Sequence, residues 1–530
     1  MDKINSSHPD LPASEDGKGQ IREAAVLFIL LAIPLLPALV TVCRLSYLAY
    51  NNSSDTFLYL DIARNFLKGR GLVLSFNIYQ FWTGIFYPAI PFVHVGFSLF
   101  LSLLYLFFPS IEQLVLFNFV FAFLNSFLVY RIVKRLYGDK VSGAWIACIV
   151  AATVSMQITL LRLLTEQLSL FITLSAVYFF VSKKDFSKKG LFWLGLLLAS
   201  GFFIRSSAII YPAVFFLAFL LAKDGGYKKW RMAALIVFCP LFVVGIYELA
   251  VYAFFGVFSP QYPAAFKNYY LATFTHGGSF FPESPVIRPF EAGGPMLYYW
   301  ANFLDMANVL FCELRIFIFF ALFRIVKIFR SRRKDELLLA GLALVPAFAT
   351  IFNYPYMRVA DFQWTRFLIV PLVSMMILGV LEWRYLTERF LPKTKRLVFH
   401  SLLVIVFLSN FYQSSRVLEV YWKKEEAGEK VAALRSILEW TKANTGQEDL
   451  IAVSLYVVGR ADLERPTVIL PLYNTLNSNN LRDFLAIYRP RAVIFENTMP
   501  PALRHDLAAL GYGPAHGRPD SELFTIYIPV

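Results

Sequence analysis

An apolar run at residues 24–43 (AAVLFILLAIPLLPALVTVC) is soon followed by a polar stretch at residues 51–56 (NNSSDT). The apolar run has the roughly 20 residues that cross a bilayer as a helix. It is too long for the apolar part of a signal peptide and lacks a small-residue cleavage site, so we expect a retained membrane span. The polar stretch carries Asp55, followed by an amphipathic helix predicted over residues 57–68. This junction indicates a loop at the mouth of a membrane-embedded site.

The composition is that of a membrane protein. Of 530 residues, 58% are hydrophobic and 17% are aromatic, whereas 16% are charged. A soluble chain of this length could not bury so much apolar surface. The net charge is +14, but most basic residues lie in short loops between apolar runs, where they orient a chain in the membrane. We therefore predict a polytopic α-helical protein whose partners include membrane lipids and no nucleic acid.

The distribution of Lys and Arg predicts the topology. If all the basic loops are cytoplasmic, each interval between them holds an even number of crossings. The first interval contains three apolar runs, so we demote the run at 87–108, which contains Pro88 and Pro91, and expect it to lie along or dip into the outer face. This gives about eleven transmembrane helices, with the N-terminus cytoplasmic and the C-terminus outside. The basic loops are 131–140, 183–189, 223–231, 327–334 and 384–396.

This topology divides the chain into three parts. Residues 1–23 form a cytoplasmic tail, and residues 24–411 form the transmembrane catalytic domain with external loops at 44–108 and 256–307. Residues 412–530 alternate strand-like and helical patterns, which predicts a small extracytoplasmic α/β domain. Its predicted strands are 449–454, 467–470, 491–496 and 522–528, and its predicted helices are 423–444, 480–488 and 501–510.

The spacing of the cysteines and the absence of common catalytic motifs argue against several kinds of chemistry. No pair among the four cysteines has the spacing of metal ligands, and we expect no disulfide. The sequence contains no phosphate-binding loop, no HExxH motif and no GxSxG motif. ATP-driven and zinc-dependent reactions therefore have no support. The cysteines, Cys43, Cys148, Cys239 and Cys312, lie in or beside apolar runs.

Several short motifs follow one another along the predicted outer face. Asp55 opens the first external loop with Tyr59 behind it, a Gly-Arg-Gly close follows at 69–71, and a Pro-rich entry to an apolar helix begins at Tyr87. A second acidic residue, Glu166, lies in the next external turn. This series resembles the GT-C glycosyltransferases, especially the bacterial branch of protein O-mannosyltransferases and the aminoarabinose transferase of lipid A. The resemblance covers nearly the whole chain and implies the GT-C fold.

Two positions differ from the pattern of that family. The family often has Asp-Glu where this chain has Asp55-Thr56, so we expect no cofactor and no obligatory metal. The aminoarabinose branch has a basic residue where this chain has Tyr87, which argues against that particular substrate.

The resemblance implies a reaction at the outer face of a bacterial inner membrane. A sugar passes from a polyprenyl phosphate to an acceptor hydroxyl, with inversion at the anomeric carbon. A carboxylate must act as general base, and we assign Asp55 to this role, with Glu166 as an accessory carboxylate. The alternatives are that Asp55 only caps the following helix and that Glu166 only pairs with Arg162, four residues earlier.

Positive charge is needed where the phosphate departs. Arg205 is a lone cation between apolar runs, and its alternative is an arginine that snorkels to lipid headgroups. Arg358 and Arg366 flank Asp361, so one of them could pair with that residue. The family often has an arginine at the head of this late span, which favours Arg366. The predicted phosphate-binding set is Arg205, Arg366, Arg358 and Arg162.

Aromatic residues are the candidates for contacts with the sugar. Their faces suit sugar rings and membrane interfaces alike. We assign Tyr59 and Tyr87 to substrate binding, together with His276 in the aromatic loop 256–307. His276 could assist proton transfer, although a lone histidine is more often a surface residue.

Two other classes of protein share this general architecture. A transporter or a flippase of lipid-linked glycans predicts ionisable residues near mid-membrane and paired broken helices in two related halves, and neither is evident in the sequence. A glycan polymerase or ligase is the other alternative, and the early Asp55 argues against it. The sugar and the acceptor, whether protein, lipid A, wall polymer or lipid-linked glycan, are left open.

Overall fold

The computed structural model is largely helical, with one small sheet near its C-terminal end. This agrees with the predicted polytopic α-helical class. The structure describes residues 17–44, 54–74, 95–108, 110–163, 165–183, 186–222, 229–255, 288–353, 367–391, 393–426, 429–453, 465, 467–470, 478–496, 501–515 and 524–530.

The helices follow the apolar runs of the sequence and end at its polar loops. A 3₁₀ turn, Ser206–Ile210, links two of them. In chain order the helices are α1 (Gly17–Arg44), α2 (Ser54–Leu67), α3 (Val95–Tyr105), α4 (Ile111–Tyr137), α5 (Lys140–Ala151), α6 (Val154–Leu160), α7 (Glu166–Ser182), α8 (Lys188–Ile204), α9 (Tyr211–Leu221), α10 (Lys229–Phe255), α11 (Arg288–Leu314), α12 (Phe317–Ser331), α13 (Lys334–Asn353), α14 (Ile369–Phe390), α15 (Lys395–Glu426), α16 (Glu429–Asn444), α17 (Ser478–Tyr488) and α18 (Pro501–Ala509).

Within the described residues, 5 helices are long and apolar enough to cross a membrane, or up to 6 if α5 and α6 form one span bent by 60°. The prediction of about eleven crossings exceeds this number and stays a prediction. Helix α3, inside the run that we expected not to cross, has 11 residues. At a rise of about 1.5 Å per residue it is roughly half as long as the hydrocarbon core is thick.

The predicted basic loops meet at one end of the helical bundle. Arg384 Nη1 lies 2.7 Å from Asp139 Oδ2, which joins the first and the last of these loops. The Lys334 ammonium donates to the carbonyl oxygen of Lys183. Arg135 Nη2 donates to the carbonyl oxygen of the last residue of α7, at 3.2 Å. These four loops therefore share one end, called the basic end below; residues 223–228 of the fifth loop lie outside the described residues.

A buried ionic cluster closes the basic end. The Arg324 guanidinium contacts both Glu336 and Glu382, and the Lys327 ammonium contacts Glu382. The Glu382 side chain is completely buried. The cluster joins α12, α13 and α14, and each carboxylate has a cation beside it, as buried charges require.

The sheet lies in the last part of the chain. Its strand order is β2-β1-β3-β5-β4, with β1 parallel to β2 and β3, and β5 antiparallel to β3 and β4. The four predicted strands are confirmed to within a few residues, whereas β4 was missed because Gly513 and Pro514 give no strand signal. The strands are β1 (Ile451–Val453), β2 (Thr467–Ile469), β3 (Ala492–Glu496), β4 (Tyr512–Pro514) and β5 (Phe524–Pro529).

The sheet region is joined to the segment after α2. Arg70 Nη2 lies 2.6 Å from Glu448 Oε2, and Lys68 Nζ lies 3.4 Å from Glu448 Oε1. The hydrogen bond from Arg70 and the charge of Lys68 lower the pKa of Glu448. Helix α15 runs through the domain boundary predicted at residue 412 and continues to Glu426. The division into domains and the side of the membrane on which this part lies stay predictions.

The Arg324 cluster generates a stability prediction. Arg324→Gln leaves two buried carboxylates with less positive charge, so it should lower the free energy of unfolding by about 3–5 kcal/mol. The measurement is the thermal unfolding midpoint of the full-length protein in detergent. Arg416→Gln is the control, because its partner Glu419 and Arg416 itself are exposed and the midpoint should barely change. Equal midpoints for both variants would contradict a structural role of the cluster.

Candidate functional site

Four segments meet at the end of the bundle away from the basic loops. They are the start of α2, the turn between α6 and α7, the residue that follows α8, and the start of α14. The turn, called the site turn below, comprises residues 161–163 with 165 and 166; residue 164 lies outside the described residues.

The centre of this region is an ion pair between the site turn and the end of α8. Arg205 Nη1 lies 2.6 Å from Glu166 Oε1, and the two side chains are only 12% and 3% exposed. Glu166 is the first residue of α7, where the unpaired amides of a helix start favour a carboxylate. Arg205 ends α8 in an extended conformation. The sequence therefore singled out two isolated charges, and the fold brings them together.

Three further contacts hold the Arg205 guanidinium. Its Nε donates to Ser207 Oγ at 3.1 Å, and its Nη1 donates to Thr165 Oγ1 at 3.4 Å. The ring of Phe367 lies 4.7 Å from the guanidinium carbon, at cation–π distance. An arginine that snorkels to lipid headgroups would not be buried and paired in this way, so that alternative does not describe Arg205.

The start of α2 lies against the site turn. Thr56 Oγ1 donates to the carbonyl oxygen of Leu163 at 3.2 Å, and both residues are buried. On the other side, Asn118 Nδ2 of α4 donates to the carbonyl oxygen of Arg162 at 2.7 Å. Since Thr56 directly follows Asp55, the main chain of Asp55 lies beside this turn.

The structure describes only the main chain of Asp55. Helix α2 begins at Ser54, so Asp55 lies in its first turn and not immediately before the helix. A carboxylate is favourable in a first helical turn. Its role as general base stays a prediction, as does the capping alternative, because helix ends are assigned only to within one or two residues.

Arg162 differs from Arg205 in its surroundings. Its Nε is buried and has no hydrogen-bond partner among the described residues. A buried donor without a partner is costly. Such a donor is typical of a position that receives an acceptor from a ligand. The predicted alternative, a pair between Arg162 and Glu166, is not among the ion pairs of the described residues.

Of the five remaining candidates for the site, the structure describes only Tyr59. Tyr59 is 4% exposed and its ring packs edge to face on Phe97, with 4.9 Å between the ring centres. Its role in substrate binding stays a prediction. The other four candidates, Arg358, Arg366, Tyr87 and His276, lie outside the described residues. Phe367, which directly follows Arg366, is described and contacts Arg205.

Sequence reasoning missed several polar residues that hold the site. Asn125 Nδ2 of α4 donates to the carbonyl oxygen of Gln167 at 3.0 Å, and Gln167 Nε2 donates to Thr159 Oγ1 at 2.7 Å. Together with Asn118, these side chains join α4, α6 and α7. The signal was an isolated amide within an apolar run, which is costly in a membrane unless it has a partner.

A small cavity adjoins the site turn, whereas a larger groove lies elsewhere in the bundle. A small apolar cavity of about 10 Å³ lies between α3, α4 and the site turn. A groove of about 610 Å³ lies between α1, α4 and α5 and is lined in part by Glu23 and Lys140, towards the basic end. Within the described residues, no group of three or more His, Cys, Asp or Glu could hold a metal ion. The expectation that no metal is needed stays a prediction.

Comparisons with known proteins relate part of the sequence to a family. Residues 95–247 match the model of the dolichyl-phosphate-mannose-protein mannosyltransferase family. This region extends from α3 into α10 and contains both Glu166 and Arg205. None of the curated proteins that were compared matches the sequence.

Solved structures share the fold at low sequence identity. An oligosaccharyltransferase from Archaeoglobus fulgidus in the apo form is 12% identical, with a TM-score of 0.56 over 94% of this chain and 74% of that one. AglB from the same organism, in complex with an inhibitory peptide and a dolichol-phosphate, is 12% identical, with a TM-score of 0.51 over 97% and 75%. ArnT from Cupriavidus metallidurans bound to undecaprenyl phosphate is 12% identical, with a TM-score of 0.53 over 97% and 99%.

The matched region and the shared fold support a membrane glycosyltransferase of the GT-C type. The chain resembles the branch that contains the protein mannosyltransferases and ArnT. The predicted class and the predicted kind of enzyme are therefore confirmed.

The interaction between Glu166 and Arg205 can be measured by mutation. The single variants Glu166→Gln and Arg205→Gln and the double variant form a double-mutant cycle, read as thermal unfolding midpoints. Each single variant should destabilise the protein by leaving a buried charge without its partner. The double variant should lose less stability than the two single variants lose together, which gives a coupling free energy of about 1–3 kcal/mol. Strictly additive losses would mean that the two charges do not interact.

Proposed function

We propose that this protein is an inverting glycosyltransferase that moves a sugar from a polyprenyl-phosphate donor to an acceptor hydroxyl outside the cytoplasm. It works in a bacterial inner membrane with the N-terminus and the basic end in the cytoplasm and the sheet region outside. The observation that carries the proposal is the contact of α2 with the site turn, which brings the main chain of Asp55 to the same end of the bundle as Arg205.

The proposed reaction needs a base and a stabilised leaving group. The Asp55 carboxylate accepts the proton of the acceptor hydroxyl while the oxygen attacks the anomeric carbon. The bond to the donor phosphate breaks, and guanidinium groups stabilise the negative charge that develops on the phosphate. Attack from the face opposite the phosphate inverts the anomeric centre.

The arginines of the site have different roles, because the charge of Arg205 is balanced by Glu166 and that of Arg162 is not paired in this way. Glu166 offsets the charge of Arg205, so this pair alone does not attract an anion strongly. Glu166 instead orients the guanidinium, which can still donate in a directed way to a phosphate oxygen. The net positive charge comes from Arg162, whose Nε has no partner among the described residues, with Arg366 and Arg358 as further candidates.

The comparisons support the donor class. ArnT was solved with undecaprenyl phosphate and AglB with a dolichol-phosphate and a peptide, so two proteins of this fold bind lipid phosphates. We extend this to the present chain as a polyprenyl-phosphate sugar. The acceptor is a lipid, a glycan or a protein. Tyr59, Tyr87 and His276 are the candidates for contacts with the sugar or the acceptor.

One observation favours a transporter as the second candidate. The bend of 60° between α5 and α6 breaks a helix, and Glu313 is a buried carboxylate close to this break. Transporters have such broken helices in pairs, one in each of two related halves. The described residues contain one bent pair that passes as a span, and the matched family region favours the transferase.

Donor binding is tested by native mass spectrometry with undecaprenyl phosphate as the probe. The wild type should retain the lipid, and Arg162→Gln combined with Arg205→Gln should weaken retention by roughly a hundredfold, since two charged donors are lost. Arg416→Gln, an exposed arginine outside the site, should retain it like the wild type. If the double variant bound the lipid as well as the wild type, these arginines would not form the phosphate site.

The role of the base is tested by Asp55→Asn in the purified full-length protein. Transfer from the native lipid-linked donor should fall by roughly a hundred- to ten thousandfold, because the general base is lost. The thermal midpoint and the retention of undecaprenyl phosphate should stay near the wild type. Asp61→Asn, in the same helix and paired with Asn65, is the control and should transfer at close to the wild-type rate. Normal transfer by the Asp55 variant would remove this residue as the base.

A further inference from the structure

Two breaks in the helical bundle face each other beneath the site turn. The first separates α5 from α6 and bends the chain by 60°. The second separates α11 from α12, where Arg315 has a left-handed conformation with φ of 54°. Neither break contains glycine or proline, and Thr153 caps the start of α6 locally at the first one, so we look to contacts with other parts of the chain for further stabilisation.

Glu313 joins the two breaks. Its Oε2 accepts a hydrogen bond from the Val154 main-chain N–H at 3.0 Å, and its Oε1 accepts from the Ser155 N–H at 2.9 Å and from Ser155 Oγ at 3.0 Å. Residue 313 is 4% exposed. The first amides of a helix have no partner within it, so Glu313 of α11 supplies acceptors for Val154 and Ser155, while the Thr153 side chain accepts from the Met156 N–H.

Glu313 differs from the other buried carboxylates of the bundle. Glu382 has two cations beside it, and Glu166 has Arg205. Among the described residues, Glu313 takes part in no ion pair, and hydrogen bonds from Val154 and Ser155 together with the charge of Arg315 compensate its charge. A carboxylate inside a membrane bundle is costly and points to a specific function.

Helix α6 connects Glu313 to the site. It has 7 residues, all of them buried, and it leads directly into the site turn. At its far end Thr159 accepts from Gln167, and beyond it Leu163 accepts from Thr56. A short helix held at its start therefore sets the position of Arg162 and of the peptide that contacts α2.

The second break is held from the other side by α15. Asn410 Nδ2 donates to the main-chain carbonyl oxygen of Glu313 at 2.9 Å, and the Arg315 guanidinium donates to Gln413. Glu313 is thus fixed by both its main chain and its side chain. A group that is held this firmly can define the position of α6 relative to α15.

We propose that Glu313 is a positioning residue for the active site: its buried carboxylate fixes the start of α6 and, through this helix, the site turn that carries Arg162 and Glu166. The inference rests on the proposed function for its catalytic consequence. The positional part concerns the chain alone and can be tested without substrate.

Hydrogen–deuterium exchange of the full-length protein in detergent measures how firmly the start of α6 and the site turn are held. In Glu313→Gln an amide NH₂ replaces one of the acceptor oxygens, so exchange should accelerate at the amides of Val154, Ser155 and the site turn by roughly ten- to a hundredfold. Glu313→Asp keeps the carboxylate and should restore part of the protection. Glu382→Gln is the matched control, because it removes another buried carboxylate at the basic end and should leave exchange in the site turn unchanged.

Ser155→Ala gives a second variant with a smaller perturbation, in case Glu313→Gln does not fold. It removes one of the three donors and should accelerate exchange in the same amides to a smaller extent. Unchanged exchange in the site turn of a folded Glu313→Gln and of Ser155→Ala would overturn the proposal. Acceleration in the site turn of Glu382→Gln as large as in Glu313→Gln would also overturn it, because the effect would then be general destabilisation.

A second arm adds undecaprenyl phosphate. In the wild type this lipid should slow exchange in the site turn, and Glu313→Gln should need roughly ten times more lipid for the same protection. If the lipid gives no protection to the wild type, the proposed donor class fails, while the experiment without lipid still decides the role of Glu313. Equal protection of both proteins at equal lipid concentration would contradict the link from Glu313 to the site.

Discussion

The end of the bundle opposite the basic end depends on the buried pair between Glu166 and Arg205. Removing two charges from water costs several kcal/mol per ion, and their attraction offsets this only when the geometry is good and further hydrogen bonds are made. Here the pair spans 2.6 Å, and Thr165, Ser207 and the ring of Phe367 also contact the guanidinium. The pair therefore fixes the start of α7 relative to the end of α8 and to the start of α14.

Polar groups in this apolar protein occur in separate layers, and the contacts within each layer are different. The basic end carries loops that contact one another and the cluster around Arg324. The middle layer carries Glu313, whose carboxylate accepts hydrogen bonds from the start of α6. The third layer, at the end opposite the basic end, carries the Glu166–Arg205 pair and the contact of Thr56 with the site turn. Among the described residues, the third layer combines the Glu166–Arg205 pair, Arg162 and the approach of α2, which is why we place the reaction there.

The sequence predicts well those features that depend on local pattern. Isolated charges at the ends of apolar runs identified Glu166 and Arg205, and alternating apolar residues identified four of the five strands. Contacts between distant segments were not predictable. A pair of Glu166 with Arg162 assumed one continuous helix, whereas α7 starts at Glu166 and the partner comes from α8. The break between α5 and α6 has a weak local signal in Thr153, which caps α6, but Glu313, the other acceptor at this helix start, lies far along the chain and was not predictable.

The most direct test of the account is an experimental structure of the full-length protein, determined by electron cryomicroscopy, with undecaprenyl phosphate bound. The account predicts that the phosphate lies within hydrogen-bonding distance of Arg162 or Arg205, with the Asp55 carboxylate facing the space beside it. A phosphate bound in the groove near Glu23 and Lys140, or an Asp55 side chain directed away from the lipid, would contradict the central claim.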